Sequence, residues 1–126
     1  GKAQAAIDAL HGGSDFVYIH MEAPDEMGHQ GLPQKKKYAV ETIDQKVVKV
    51  IKEEMERTNT DYRMLILPDH PTPVAHLTHT NDPVPFLIYA PGIESDSVKT
   101  FDEVACKEGS YGLLEKDGFI KELMSL

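Results

Sequence analysis

Val40-Glu41-Thr42-Ile43-Asp44-Gln45-Lys46-Val47-Val48-Lys49-Val50-Ile51-Lys52-Glu53-Glu54-Met55 sets Val40, Ile43, Val47, Ile51 and Met55 three or four positions apart. That spacing lines them along one side of an α-helix, and the lysines and glutamates between them form a solvated face. Pro33 suits the first turn of such a helix, where its missing N–H costs nothing, and Thr58-Asn59 closes it. On either side stand two apolar runs of strand length, Phe16-Val17-Tyr18-Ile19 within Asp15–His20 and Met64-Leu65-Ile66-Leu67. Strand, amphipathic helix and strand in that order predict a right-handed parallel crossover, and so an α/β fold with a mostly parallel sheet flanked by helices. The strands near Phe16–Ile19 and Met64–Leu67 are expected to be parallel neighbours, with the Pro33–Arg57 helix on their face.

Working outward, Ala5, Ala6, Ala9 and Leu10 form one side of a short helix over Lys2–His11, and His11-Gly12-Gly13 stops it. Glu22–Gly31 is polar and rich in turn formers. Asp69–Pro85 holds four prolines and no helical period, which is long for a connection without structure of its own; such loops are often functional. Phe86–Tyr89 reads as a third strand, with Pro83 and Pro85 at its entry. Because no helix is evident between Met64–Leu67 and Phe86–Tyr89, an antiparallel arrangement of these two is the simpler one. Phe119, Ile120, Leu123 and Met124 mark a last amphipathic helix.

The 126 residues fit one domain or a piece of a larger one. A formal net charge of −8 argues against nucleic acid as a partner, since that needs clustered lysine and arginine. Cys106 is the only cysteine, so there is no internal disulfide and no cysteine-based zinc site. No apolar run approaches the roughly 18 residues that suggest a membrane span, and no signal peptide is visible. The cytoplasm is the expected compartment. The chain opens inside a helical pattern without a starting methionine, which suggests part of a longer polypeptide.

The chemistry-bearing residues sit where strands end. Asp25 and His29 follow the first expected strand, Asp69 and His70 follow the second, and His79 lies in the proline-rich loop. In α/β sheets, ligands gather beyond the carboxyl ends of the strands. Carboxylate oxygen with neutral imidazole suits manganese, zinc or iron better than calcium, and two bound cations would let an acidic protein hold a phosphate. Taken singly, each has an ordinary reading: Asp25 and His29 as a cap and a surface histidine, Asp69-His70 as turn chemistry, His79 as a loop histidine. The five together on one sheet edge are harder to dismiss. His20 closes the first strand near them and could orient a ligand from behind. Glu22 and Glu26 read as solvated loop acids, and Lys35-Lys36-Lys37 as a charged helix start.

His20-Met21-Glu22-Ala23-Pro24-Asp25-Glu26-Met27-Gly28-His29 resembles the E-A-P-D-x-x-G-H stretch of archaeal-type cofactor-independent phosphoglycerate mutases, members of the alkaline phosphatase superfamily. Leu67-Pro68-Asp69-His70-Pro71-Thr72-Pro73 resembles their second metal motif, and Thr78-His79-Thr80 with Pro83-Val84-Pro85-Phe86 the third, in the family's order. The resemblance implies a partial alkaline-phosphatase-like metalloenzyme domain holding two divalent metal ions. Manganese is expected first, with zinc, magnesium or cobalt as alternatives. Asp25, His29 and His79 look like ligands of one metal, and Asp69 and His70 of the other. These sets should converge, with the two centres about 4–6 Å apart by analogy with two-metal sites.

The family completes its site with an aspartate near its N-terminus and a catalytic serine. Ser14, Ser95, Ser97, Ser110 and Ser125 lack the serine's context, so no catalytic residue is assigned in this chain. Residues 1–126 therefore read as the C-terminal portion of a longer enzyme that interconverts 3-phosphoglycerate and 2-phosphoglycerate through a phosphoserine. The isolated chain should be inactive, and prone to self-association through exposed sheet edge. Two alternatives stay open: a related phosphotransferase, such as a proposed homoserine kinase, and a non-catalytic metal-binding domain.

Overall fold

The computed structural model describes residues 1–68, 83–114 and 118–125. The described residues divide into two units, Gly1–Thr60 and those from Asp61 onward.

In the first unit, helix α1 (Lys2–His11) buries Ala3, Ala6 and Ile7. The side anticipated from Ala5, Ala6, Ala9 and Leu10 is thus rotated, with Ala5 exposed and Ala9 and Leu10 half-buried. An alanine methyl gains little on leaving water, so the larger Ile7 takes the core and the alanines on its side follow. The helix stops where expected. Gly12 donates its N–H to the Asp8 carbonyl at 2.9 Å, and Gly13 turns the chain at φ 109°, a conformation that a side chain would strain.

Glu22–Gly31, expected as turns, contains a second helix, α2 (Ala23–His29). The signals were Pro24 at the helix start, which suits the first turn, and Asp25 and Glu26 in that turn, where carboxylates favour the helix dipole. Leu32 then closes α2 by donating its N–H to the Met27 carbonyl at 3.0 Å.

The long helix expected over Pro33–Arg57 forms in three pieces: α3 (Pro33–Ile43), a π-helical turn at Asp44–Val48, and α4 (Lys49–Arg57). The apolar stripe is real in α4, where Met55 is 1% exposed and Ile51 is buried, but Val40 in α3 is 52% exposed. The break coincides with the π-turn. Its i→i+5 bonds place an extra residue in the turn, so the face set before it does not continue into the one after. Asn59 ends α4 at φ 53°, and Thr60 donates back to the Met55 carbonyl at 2.9 Å. α1 packs on α4, and α2 on α3.

Phe16–Ile19 is not a strand, so its expected parallel pairing with Met64–Leu67 is not formed. The segment is irregular, with Phe16 and Tyr18 exposed. An apolar run becomes a strand only where another strand satisfies its N–H and C=O groups, and the described residues provide none here.

In the second unit, β1 (Met64–Ile66) pairs antiparallel with β2 (Leu87–Tyr89), in the register Met64 with Tyr89, Leu65 with Ile88 and Ile66 with Leu87. The antiparallel expectation for these strands holds. The mostly parallel sheet is represented among the described residues by this antiparallel pair alone. Nor are the strands fully buried: β1 is half-buried throughout, and Leu87 and Tyr89 are exposed. Helix α5 (Gly118–Ser125) packs against β1 and buries Leu123, whereas Ile120 and Met124 face outward. Phe86 meets Phe119 edge-on with centroids 5.0 Å apart, and Tyr111 at 5.9 Å. Arg63 donates to the Leu123 and Met124 carbonyls at 3.1 and 3.3 Å, serving last-turn groups that have no partner within a helix.

Between β2 and α5 the chain is organised by two aspartates. Asp96 accepts from the Ser110 and Val98 N–H groups, both at 3.0 Å, and Asp102 from Ala105 and Val104 at 2.7 and 3.0 Å. These donors favour the ionised form. The Ser110 N–H, then that of Val98, holds the Asp96 carboxyl below the usual range; the Ala105 N–H, then the Thr100 hydroxyl, does so for Asp102.

Candidate metal centre

Asp25 and His29 lie one turn apart on α2, and the helical period brings them to the same side. Asp25 Oδ2 and His29 Nε2 are 3.3 Å apart, with side chains 37% and 41% exposed. Two donors about 2.1 Å from a shared ion and this far apart subtend an angle of about 100°, between octahedral and tetrahedral values. The pair therefore fits a divalent cation as two of its ligands, one oxygen and one nitrogen. The same geometry makes an i,i+4 ion pair when the imidazole is protonated. What sequence reasoning missed was the vehicle: the D-x-x-x-H spacing works here because it is helical.

Asp69, His70 and His79 lie outside the described residues, as does the expected convergence of the five candidates. Among the described residues there is no group of three or more histidine, cysteine, aspartate or glutamate side chains arranged around a metal position. Glu26 is exposed in the first turn of α2. His20 precedes the helix, its Nε2 3.7 Å from Glu22 Oε1. A separate open groove of about 460 Å³ is lined by Gly1–Gln4, Met21, Lys46, Val47 and Val50, and by none of the five candidates.

No helix among the described residues is long and apolar enough to cross a membrane. The chain is 46% identical over 125 residues to a 2,3-bisphosphoglycerate-independent phosphoglycerate mutase of Methanothrix thermoacetophila, covering 99% of this chain and 32% of that protein. It is 47% identical over 121 residues to the enzyme of that name from Methanosarcina mazei, covering 95% of this chain and 30% of that protein. A solved structure from Pyrococcus horikoshii superposes with a TM-score of 0.85 at 29% identity, over 98% of this chain and 36% of that one. The chain thus spans about a third of the length of the curated relatives it matches. The α/β class expected from the sequence is that of the metalloenzyme, alkaline-phosphatase-like domains. The metalloenzyme superfamily matches over residues 1–117, and the chain belongs to that family.

Proposed function

We propose that this chain is the C-terminal, metal-holding portion of a cofactor-independent phosphoglycerate mutase, which interconverts 3-phosphoglycerate and 2-phosphoglycerate in the cytoplasm. The observation that carries the reading is the 3.3 Å approach of Asp25 Oδ2 to His29 Nε2 on α2. Its support is that archaeal relatives of that name match nearly the whole chain.

In this reading Asp25, His29 and His79 hold one divalent ion and Asp69 and His70 the other, with manganese the expected metal. Bound there, the ions would balance phosphoryl charge and lower the pKa of a serine hydroxyl. Asp25 contributes a negative charge and His29 a neutral donor, so the pair takes up a dication without fully neutralising it. That leaves the centre net positive toward a phosphate in a protein whose overall charge is −8. The short helix fixes both donors on one element, so little side-chain freedom is lost when they are brought together. The phosphoryl group would pass from one glycerate hydroxyl to a serine outside this chain and return to the other hydroxyl.

The test is phosphoryl transfer by the full enzyme containing this chain, followed by phosphorus NMR with 3-phosphoglycerate. Appearance of 2-phosphoglycerate, cut about 100-fold or more by Asp25→Asn or His29→Ala, is the expected result. Turnover of homoserine with a phosphoryl donor instead, or full mutase activity in both variants, would sink the proposal.

A further inference from the structure

His20 belongs to no helix or strand, yet contacts among the described residues hold it. Its carbonyl accepts from the Lys2 ammonium at the start of α1. Its Nε2 lies 3.7 Å from Glu22 Oε1. Its ring lies parallel to that of Tyr18, with 7° between the planes and centroids 6.4 Å apart. Among the described residues Phe16–Ile19 has no sheet to fix it, and these contacts hold the chain that leads into α2.

That path bears on the metal pair. α2 has seven residues, too few to persist without anchors at both ends. Its last turn, carrying His29, is anchored by Leu32 and by packing on α3. Its first turn carries Asp25. There Glu22 is the N-cap residue, and its side chain makes no capping hydrogen bond; its carboxylate lies toward His20 instead. The two metal donors therefore rest on different supports, and both supports must hold to keep Oδ2 and Nε2 together.

We infer that His20 is a positioning residue for the Asp25–His29 pair: it clamps Glu22, and with it the first turn of α2, so that Asp25 faces His29. This rests on the metal-binding reading above, and the experiment separates the two. Mn²⁺ is titrated into the full enzyme containing this chain, and the free ion is followed by electron paramagnetic resonance. His20→Ala should weaken binding about tenfold, as removal of an outer-shell partner does elsewhere. His20→Gln, whose amide can reach Glu22, should recover most of that loss, while Glu22→Gln should lose less than His20→Ala but measurably. In an Asp25→Asn background, His20→Ala should add nothing, because its effect passes through Asp25. Far-UV circular dichroism should be unchanged throughout. Wild-type binding by both His20→Ala and Glu22→Gln overturns the inference, as does an undiminished effect of His20→Ala in the Asp25→Asn background. Should His20→Ala fail to fold, Glu22→Gln carries the decision: wild-type Mn²⁺ binding by it overturns the inference. If the unaltered enzyme binds no Mn²⁺, or Asp25→Asn binds it as tightly, the metal reading itself fails.

Discussion

The two units solve the problem of a small core differently. Gly1–Thr60 uses helices, and it buries Met55, Ile7 and Ala6 to 1%, 3% and 4% exposure. From Asp61 onward the scaffold is a pair of three-residue strands with partly exposed side chains, and its packing comes from aromatic rings meeting at their edges and from aspartates that tie a loop together. A helix closes its own backbone hydrogen bonds and can spend its apolar face wholly on a neighbour. A two-stranded ribbon has two edges and two faces, and with so few residues it buries little beyond what α5 covers on β1. The candidate metal donors that the structure describes sit in the helical unit, on its shortest helix.

This contrast implies an order of sensitivities. Met55→Ala should cost the most, about 3 kcal/mol, since a fully buried side chain leaves a cavity that rigid helices close only in part. Urea denaturation followed by circular dichroism measures it; a loss under about 1 kcal/mol would mean that α4 does not carry the core. Phe119→Ala should cost less, about 2 kcal/mol, because the ring is only half-buried against Phe86. If the same measurement ranks it above Met55→Ala, the aromatic cluster, and not the helical core, is the stronger of the two.

The smallest effect is expected from acid. Asp96 and Asp102 have carboxyls held below their usual range by N–H donors. A carboxyl with a depressed folded pKa contributes stability that is present above its unfolded value of about 3.9 and lost as pH falls through the folded value. The loop should therefore hold at pH 5 and loosen only well below pH 4. Carboxyl carbon shifts by NMR should titrate below the ordinary aspartate value, with the Ser110 and Ala105 amides moving in step. Ordinary midpoints with unmoved amides would show that these bonds do not order the loop in solution.

Local signals were legible where the chain needs only itself. Lys2–His11 is helical because its residues favour it and Gly13 can turn the exit; Pro33 and Thr58-Asn59 bound the long helix as their stereochemistry requires. The antiparallel pairing of β1 with β2 was also readable, from a connecting sequence with no helical period. α2 was less legible, because its polar composition reads as turn and only Pro24 with Asp25 and Glu26 signals a helix start. The π-turn left no sequence signal, because it changes the hydrogen-bond partner and not the residue type.

By itself, then, the sequence determined which segments could be helices, which residues carry metal-compatible donors, and the family whose ordered motifs they resemble. Tertiary structure decided the rest. Phe16–Ile19 has the composition of a strand, but strand formation is a property of two segments, and only the fold says whether a partner is present. The four-residue spacing of Asp25 and His29 makes a chelating pair only if the segment is helical; α2 brings Oδ2 within 3.3 Å of Nε2. Exposure was likewise a matter of packing. Val40 and Met55 share one stripe in the sequence, and they end at 52% and 1% exposed on opposite sides of a single widened turn.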